Sequence, residues 1–263
     1  MNNVIKLFQV DAFTDSLFHG NPAGVCVLEV WLNEKMMQDI AAENNLPETA
    51  FIVQKKDVVE IRWFTPTVEV DLCGHATLAS AHVLFSYYAT SNNLIEFYSH
   101  RSGVLLVERN DEWLTLNFPK DVYTKIDTPE VLINAFQKEP IETYRGNSDF
   151  LLIYESQKVI EEMNPDLNMI QSVGGRGVIV SAPGDSVDFV SRFFAPQSGI
   201  NEDPVTGSAH TTLTPYWSKK LGKEKLTALQ LSERGGELIC ELSGQRVLIS
   251  GKAVTFMMGE IEY

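Results

Sequence analysis

Apolar and polar positions alternate along most of this chain in short runs. Ile5, Leu7 and Val10 have the spacing of a first strand. The turn residues Asp15, Ser16 and Gly20-Asn21-Pro22-Ala23-Gly24 then precede a second apolar run at 25–28. From Asn33, a good helix-capping type, Glu34–Asn44 sets Met36, Met37, Ile40 and Ala41 on one helical face, and Asn45-Leu46-Pro47 stops it. Strand-like runs follow at 49–53, 58–64, 94–98, 104–109 and 113–118. Between them, 74–88 is small or apolar on nearly every face, the pattern of a helix buried on all sides. A looser polar stretch covers 119–137. Beyond it come strands near 150–154 and 178–182, a helix-compatible segment at 165–172, a polar-to-helical transition at 203–221, and strands at 238–242, 245–250 and 253–258. Pro215 is expected to kink or end its helix. Many short strands with few helices predict an α+β fold in which strands dominate.

The second half echoes the first. Arg62-Trp63-Phe64-Thr65-Pro66 matches Arg192-Phe193-Phe194-Ala195-Pro196 at an offset of 130, and Cys73-Gly74-His75-Ala76 matches Thr206-Gly207-Ser208-Ala209 at an offset of 133. Each pair is an Arg-aromatic-Phe-x-Pro strand, an acid-bearing loop, and a small-residue turn opening a helix. Shared order and near-equal spacing predict two homologous lobes. Drawn at 1–120 and 121–263, each has the size of an ordinary domain. A helix that starts on Gly and small residues presents free N–H groups and the positive end of its dipole. Two such starts, at Gly74 and Gly207, can hold a carboxylate or a developing enolate.

Composition narrows the chemistry. The chain has 263 residues, with 35 Asp and Glu against 21 Lys and Arg, a net charge of −14. That balance argues against nucleic acid, and no basic amphipathic segment points to a membrane surface. An anionic substrate must therefore be met by local positive potential. Cys26, Cys73 and Cys240 lack CxxC spacing, and His19, His100 and His210 lack metal-ligand spacing, so neither a metal nor a disulfide framework is expected. Cys26 and Cys240 read as packing residues and His82 as a satisfied core histidine. Gly174-Gly175-Arg176-Gly177 lacks the ending of a phosphate loop and reads as a turn. Met1-Asn2-Asn3-Val4-Ile5-Lys6 has no secretory pattern, and a cytoplasmic location is expected.

Four ordered motifs carry a resemblance. These are Phe13 with Gly20-Asn21-Pro22-Ala23-Gly24; Asn45-Leu46-Pro47-Glu48-Thr49-Ala50-Phe51; Phe64-Thr65-Pro66 with Asp71-Leu72-Cys73-Gly74-His75-Ala76-Thr77; and Glu202-Asp203-Pro204-Val205-Thr206-Gly207-Ser208-Ala209-His210. In order and spacing they are similar to the PhzF-like, phenazine-biosynthesis family, a branch of the diaminopimelate-epimerase fold. The resemblance implies two pseudo-symmetric lobes, each a curled, mostly antiparallel sheet around a central helix, with the active site in the cleft between the two helix N-termini. It also allows the last strand to return to the N-terminal lobe, and it implies a homodimer and no cofactor.

Epimerases of that fold use one cysteine from each lobe. Here Cys73 stands in the first position and Thr206 in the second, and a hydroxyl is a far weaker acid than a thiol. The family resemblance instead makes Glu48 the general acid/base of a cofactor-independent isomerisation on a small carboxylate-bearing substrate. Desolvation among Leu46, Ala50 and Phe51 would poise it for that work. By the same resemblance, His75 and Asp203 join Glu48 as catalytic residues, and Asn21, Cys73, Gly74, Gly207 and Ser208 contact substrate. Two other readings stay open: a Cys73-dependent epimerase or racemase, and a non-catalytic small-ligand-binding protein.

Overall fold

A computed structural model describes residues 4–56, 58–88 and 92–263; Met1, Asn2 and Asn3, part of the segment read for a secretory pattern, lie outside them. The chain runs β1 (Val4–Ala12), β2 (Asn21–Leu28), α1 (Glu34–Asn44), β3 (Glu48–Gln54), β4 (Val59–Phe64), β5 (Glu69–Val70), α2 (Gly74–Tyr87), β6 (Leu94–Ser99), β7 (Gly103–Asn110) and β8 (Trp113–Pro119). It continues through β9 (Thr124–Ile126), α3 (Glu130–Phe136), β10 (Glu142–Arg145), β11 (Asp149–Ile153), α4 (Gln157–Glu161), α5 (Leu167–Ser172), β12 (Gly177–Pro183) and β13 (Phe189–Phe194). The last elements are α6 (His210–Leu221), β14 (Lys225–Gln230), β15 (Gly236–Ser243), β16 (Arg246–Gly251) and β17 (Ala253–Glu262). The chain divides into two compact units, 1–117 with 250–263, and 118–249.

In the first unit β1 pairs antiparallel with both β17 and β2. Strand β2 is parallel to β3, β3 antiparallel to β4, β4 parallel to β6, and β6 to β8 form an antiparallel meander. Strand β3 is buried from Glu48 to Val53 because both of its faces are covered, which is why Ala50 to Val53 reads as an unbroken apolar run. Phe51 and Val53 join Met37, Ile40 and Ala41 of α1 in one core. Glu48, Ala50 and Ile52 share the opposite face by the two-residue period of a strand. Helix α2 lies against β1, β2, β3 and β17 and buries most of its first eleven residues. Its hydroxyls bond inward, Thr77 to the Cys73 carbonyl and Ser80 to that of Ala76.

The second unit repeats these pairings. Strand β10 is antiparallel to β11, β11 parallel to β12, β12 antiparallel to β13, β13 parallel to β14, and β14 antiparallel to β15. Strand β9 flanks β10 as β17 flanks β1. Its core gathers Leu132, Phe136, Phe150, Leu152, Tyr154, Val178, Val180 and Phe194.

Two local expectations change. Pro215 does not end its helix: α6 runs through it to Leu221. The Thr211 carbonyl, deprived of its helical partner by the proline, accepts the Asp121 N–H at 3.1 Å instead. Gly207–Ala209 forms one tight 3-10 turn before α6, whereas Gly74 opens α2 directly. The Gly174-Gly175 stretch is a turn, with φ of +78° and +82°.

Candidate active site

Glu48 opens β3 on the face turned towards α2, and His75 stands in the first turn of α2. Strand periodicity and the helix start therefore bring them together. His75 Nε2 lies 3.2 Å from Glu48 Oε2, and that oxygen has no well-aligned hydrogen bond. On the other side of the ring, Nδ1 faces the Asn21 amide at 3.2 Å and the Cys73 sulfur at 3.5 Å. All four residues are buried. Cys73 is the N-cap of α2 and contributes no side-chain cap, so the Gly74 and His75 N–H groups have no partner inside the helix.

Burial is the largest influence on the Cys73 thiol and pushes its pKa up, and the Glu48 charge adds to the rise. Burial likewise opposes charge on His75. The adjoining Cys73 and Glu48 outweigh it by charge and hold the imidazole well above its ordinary value. Donor atoms of Glu48, Cys73 and His75 lie within 4.8 Å of one another, so among the described residues these three could furnish ligands to a soft divalent cation. No metal is expected from the sequence, and the proton chemistry below uses the same atoms without one.

In the second unit, Asp203 accepts the Thr206 hydroxyl at 2.6 Å. Gln230 splints this loop: its oxygen accepts the Thr206 N–H and its amide donates to the Asp203 carbonyl, both at 2.8 Å. Ser208 Oγ accepts from Arg176 Nη1 at 2.7 Å. Arg176 in turn grips the buried carboxylate of Asp149 through Nε, at 3.0 Å, and Nη2. Arg176, Asp149 and Gln230 were not anticipated. The flanking glycines made Arg176 read as part of a turn, and no local pattern marks the other two.

The registers show what the duplication kept. Thr49 pairs with Phe64, and Val178 pairs with Phe194, so Gly177 occupies the place of Glu48. A Cβ there would stand 2.3 Å from the Phe193 ring. With Thr206 at the place of Cys73, the second unit carries neither the carboxylate nor the thiol found at these positions in the first. It does keep a strut. Arg62 grips Glu69 at 2.7 and 2.8 Å, Arg192 grips Glu202 at 2.7 and 2.9 Å, and each guanidinium rests over its own Phe64 or Phe194. The first strut ties β4 to β5, ahead of α2, and the second ties β13 to the loop that precedes the Gly207 turn.

A family model described as "Phenazine biosynthesis-like protein" matches residues 10–259. An uncharacterized isomerase of Pseudomonas aeruginosa is 49% identical over 98% of both chains. The crystal structure of an Enterococcus faecalis protein of the PhzF family is 46% identical, with a TM-score of 0.96, over 98% of this chain and 99% of that one. A predicted epimerase from Pseudomonas aeruginosa, 16% identical, shares the fold at a TM-score of 0.71, over 98% of this chain and 99% of its own. The chain belongs to the phenazine biosynthesis-like (PhzF) family, an isomerase family with the epimerase-like α+β fold.

Proposed function

We propose that this protein is a cofactor-independent isomerase that moves a proton on a small carboxylate-bearing substrate, with Glu48 as the single general acid/base. The observation that carries this is the asymmetry of the repeat. Glu48, His75 and Cys73 meet in the first unit, while their counterparts in the second are Gly177, Ser208 and Thr206. One carboxylate takes a C–H proton, becomes a carboxylic acid whose proton exchanges with solvent, and delivers a proton to another carbon on the same face. His75, facing it across 3.2 Å, steadies the charge on Glu48 and can polarise a substrate oxygen. The free N–H groups at the start of α2 supply local positive potential for the substrate carboxylate. The active form is a homodimer in the cytoplasm.

The competing reading, a Cys73-dependent epimerase, draws on the 3.5 Å approach of its sulfur to His75. Against it, burial raises the thiol and no second thiol exists at Thr206. An NMR screen in D₂O over cyclic and acyclic amino and hydroxy acids separates the two. Deuterium should enter a turned-over substrate, and Glu48→Gln should slow that exchange at least a hundredfold, within the usual ~10²–10⁴ range for losing a general base. Cys73→Ser should retain exchange. Full exchange in Glu48→Gln overturns the proposal.

A further inference from the structure

The Ser208 hydroxyl has one proton to give and lone pairs with which to accept. Arg176 Nη1 donates to its oxygen at 2.7 Å. Among the described residues no protein acceptor takes the Ser208 hydroxyl proton in return; the Ser208 carbonyl serves Thr211 instead. A hydroxyl that already accepts from a cation is left to donate, and the charge-assisted bond strengthens it as a donor.

The guanidinium is not free to wander. Asp149, only 4% exposed at its side chain, binds it along one edge, and the Phe193 ring lies 5.2 Å from its carbon. The turn before it brings Gly175 so close that a Cβ there would stand 2.6 Å from Arg145. Asp149, Arg176 and Ser208 thus form a chain from a buried carboxylate to a hydroxyl at the turn leading into α6. We propose that Arg176, anchored by Asp149, is a positioning residue that commits Ser208 to donate its proton to an oxygen of a bound ligand, a carboxylate or another anionic oxygen. This rests on the reading of Ser208 as a substrate contact, and it narrows the substrate to one presenting an oxygen acceptor there.

The polarisation can be read without knowing the substrate. In Ser208→Cys, the thiol stands where the hydroxyl stood, and its pKa follows from iodoacetamide alkylation against pH, measured on the peptide by mass spectrometry. The comparison is Ser208→Cys in an Asp149→Asn/Arg176→Gln background, which removes the charge couple without leaving either member unpaired. With Arg176 present the thiol should titrate about one unit or more lower, as beside other cationic groups. Coincident profiles overturn the proposal.

A second arm uses the substrate found by D₂O exchange. Ser208→Ala and Arg176→Gln should each slow exchange about tenfold or more, and together little more than either alone, because one acts through the other. Fully additive losses overturn the proposal. If no compound exchanges, the isomerase reading fails, and the thiol titration still decides the role of Arg176.

Discussion

Glu48 and Gly177 occupy one position of a duplicated fold, and the Phe193 ring explains why only one of them is an acid. Its edge fills the space a Cβ would need, so Gly177→Ala should destabilise the protein by about 1–3 kcal/mol, the usual cost of overpacking, as checked by urea denaturation. His75 offers a second test at this scale. Its pKa is held well above the ordinary imidazole value by its neighbours against the cost of burial. Imidazole NMR should show titration above about 6.5, and Glu48→Gln should move it down. Such a raised group contributes stability that is present below the unfolded pKa and lost as pH rises through the folded one.

The buried His210 and the half-buried His82 have the opposite sign. Burial lowers His210 and His82 to about 4, the first bonded to the Thr206 carbonyl and the second to the Thr255 hydroxyl. Between about pH 6.5 and 4 the unfolded chain binds protons there that the folded chain refuses, so stability falls as pH falls. For His210, wholly buried, that loss is on the order of 3 kcal/mol. His210→Phe, should it fold, would flatten the acid limb of a stability–pH curve.

At the scale of elements, the twin struts hold β5 ahead of α2 and the loop ahead of the Gly207 turn. Arg192→Met leaves Glu202 without its bidentate partner and should cost about 2–4 kcal/mol, towards the range for breaking a largely buried pair. Much of this scale was readable in advance. Asn33 caps α1 by accepting the Met36 N–H, and Asn45, at φ 49°, closes it after Asn44. The all-round apolar helix is α2. The stretch 119–137, read as loose and polar, hides β9 and α3. Seven residues with Pro129 at the N-cap are too few to establish a period, although Leu132, Ala135 and Phe136 do share a buried face. Glu48 and His75 were named from motif order, but their proximity depends on which face of β3 meets α2. The Asp149–Arg176 pair joins residues 27 apart in sequence, a distance no short motif spans.

For the whole molecule, charge has a kinetic consequence. At −14, the chain repels an anion from afar. Raising ionic strength from about 10 to 100 mM shortens the reach of that repulsion from about 30 to 10 Å. The kcat/KM for an anionic substrate should therefore rise with salt over that range, the reverse of electrostatic steering. Among the described residues no helix is long and apolar enough to cross a membrane.

Strand β17 belongs with β1, yet among the described strands it follows all the others in sequence. Unit 2 has β9 ahead of β10, so all of its strands have left the ribosome while the first unit still lacks its final partner. The nascent N-terminal half must wait with β1 bare along one edge from Val4 to Ala12. Order along the chain is thus inverted: the unit that begins first is closed only after the other, once β17 has emerged to cover β1.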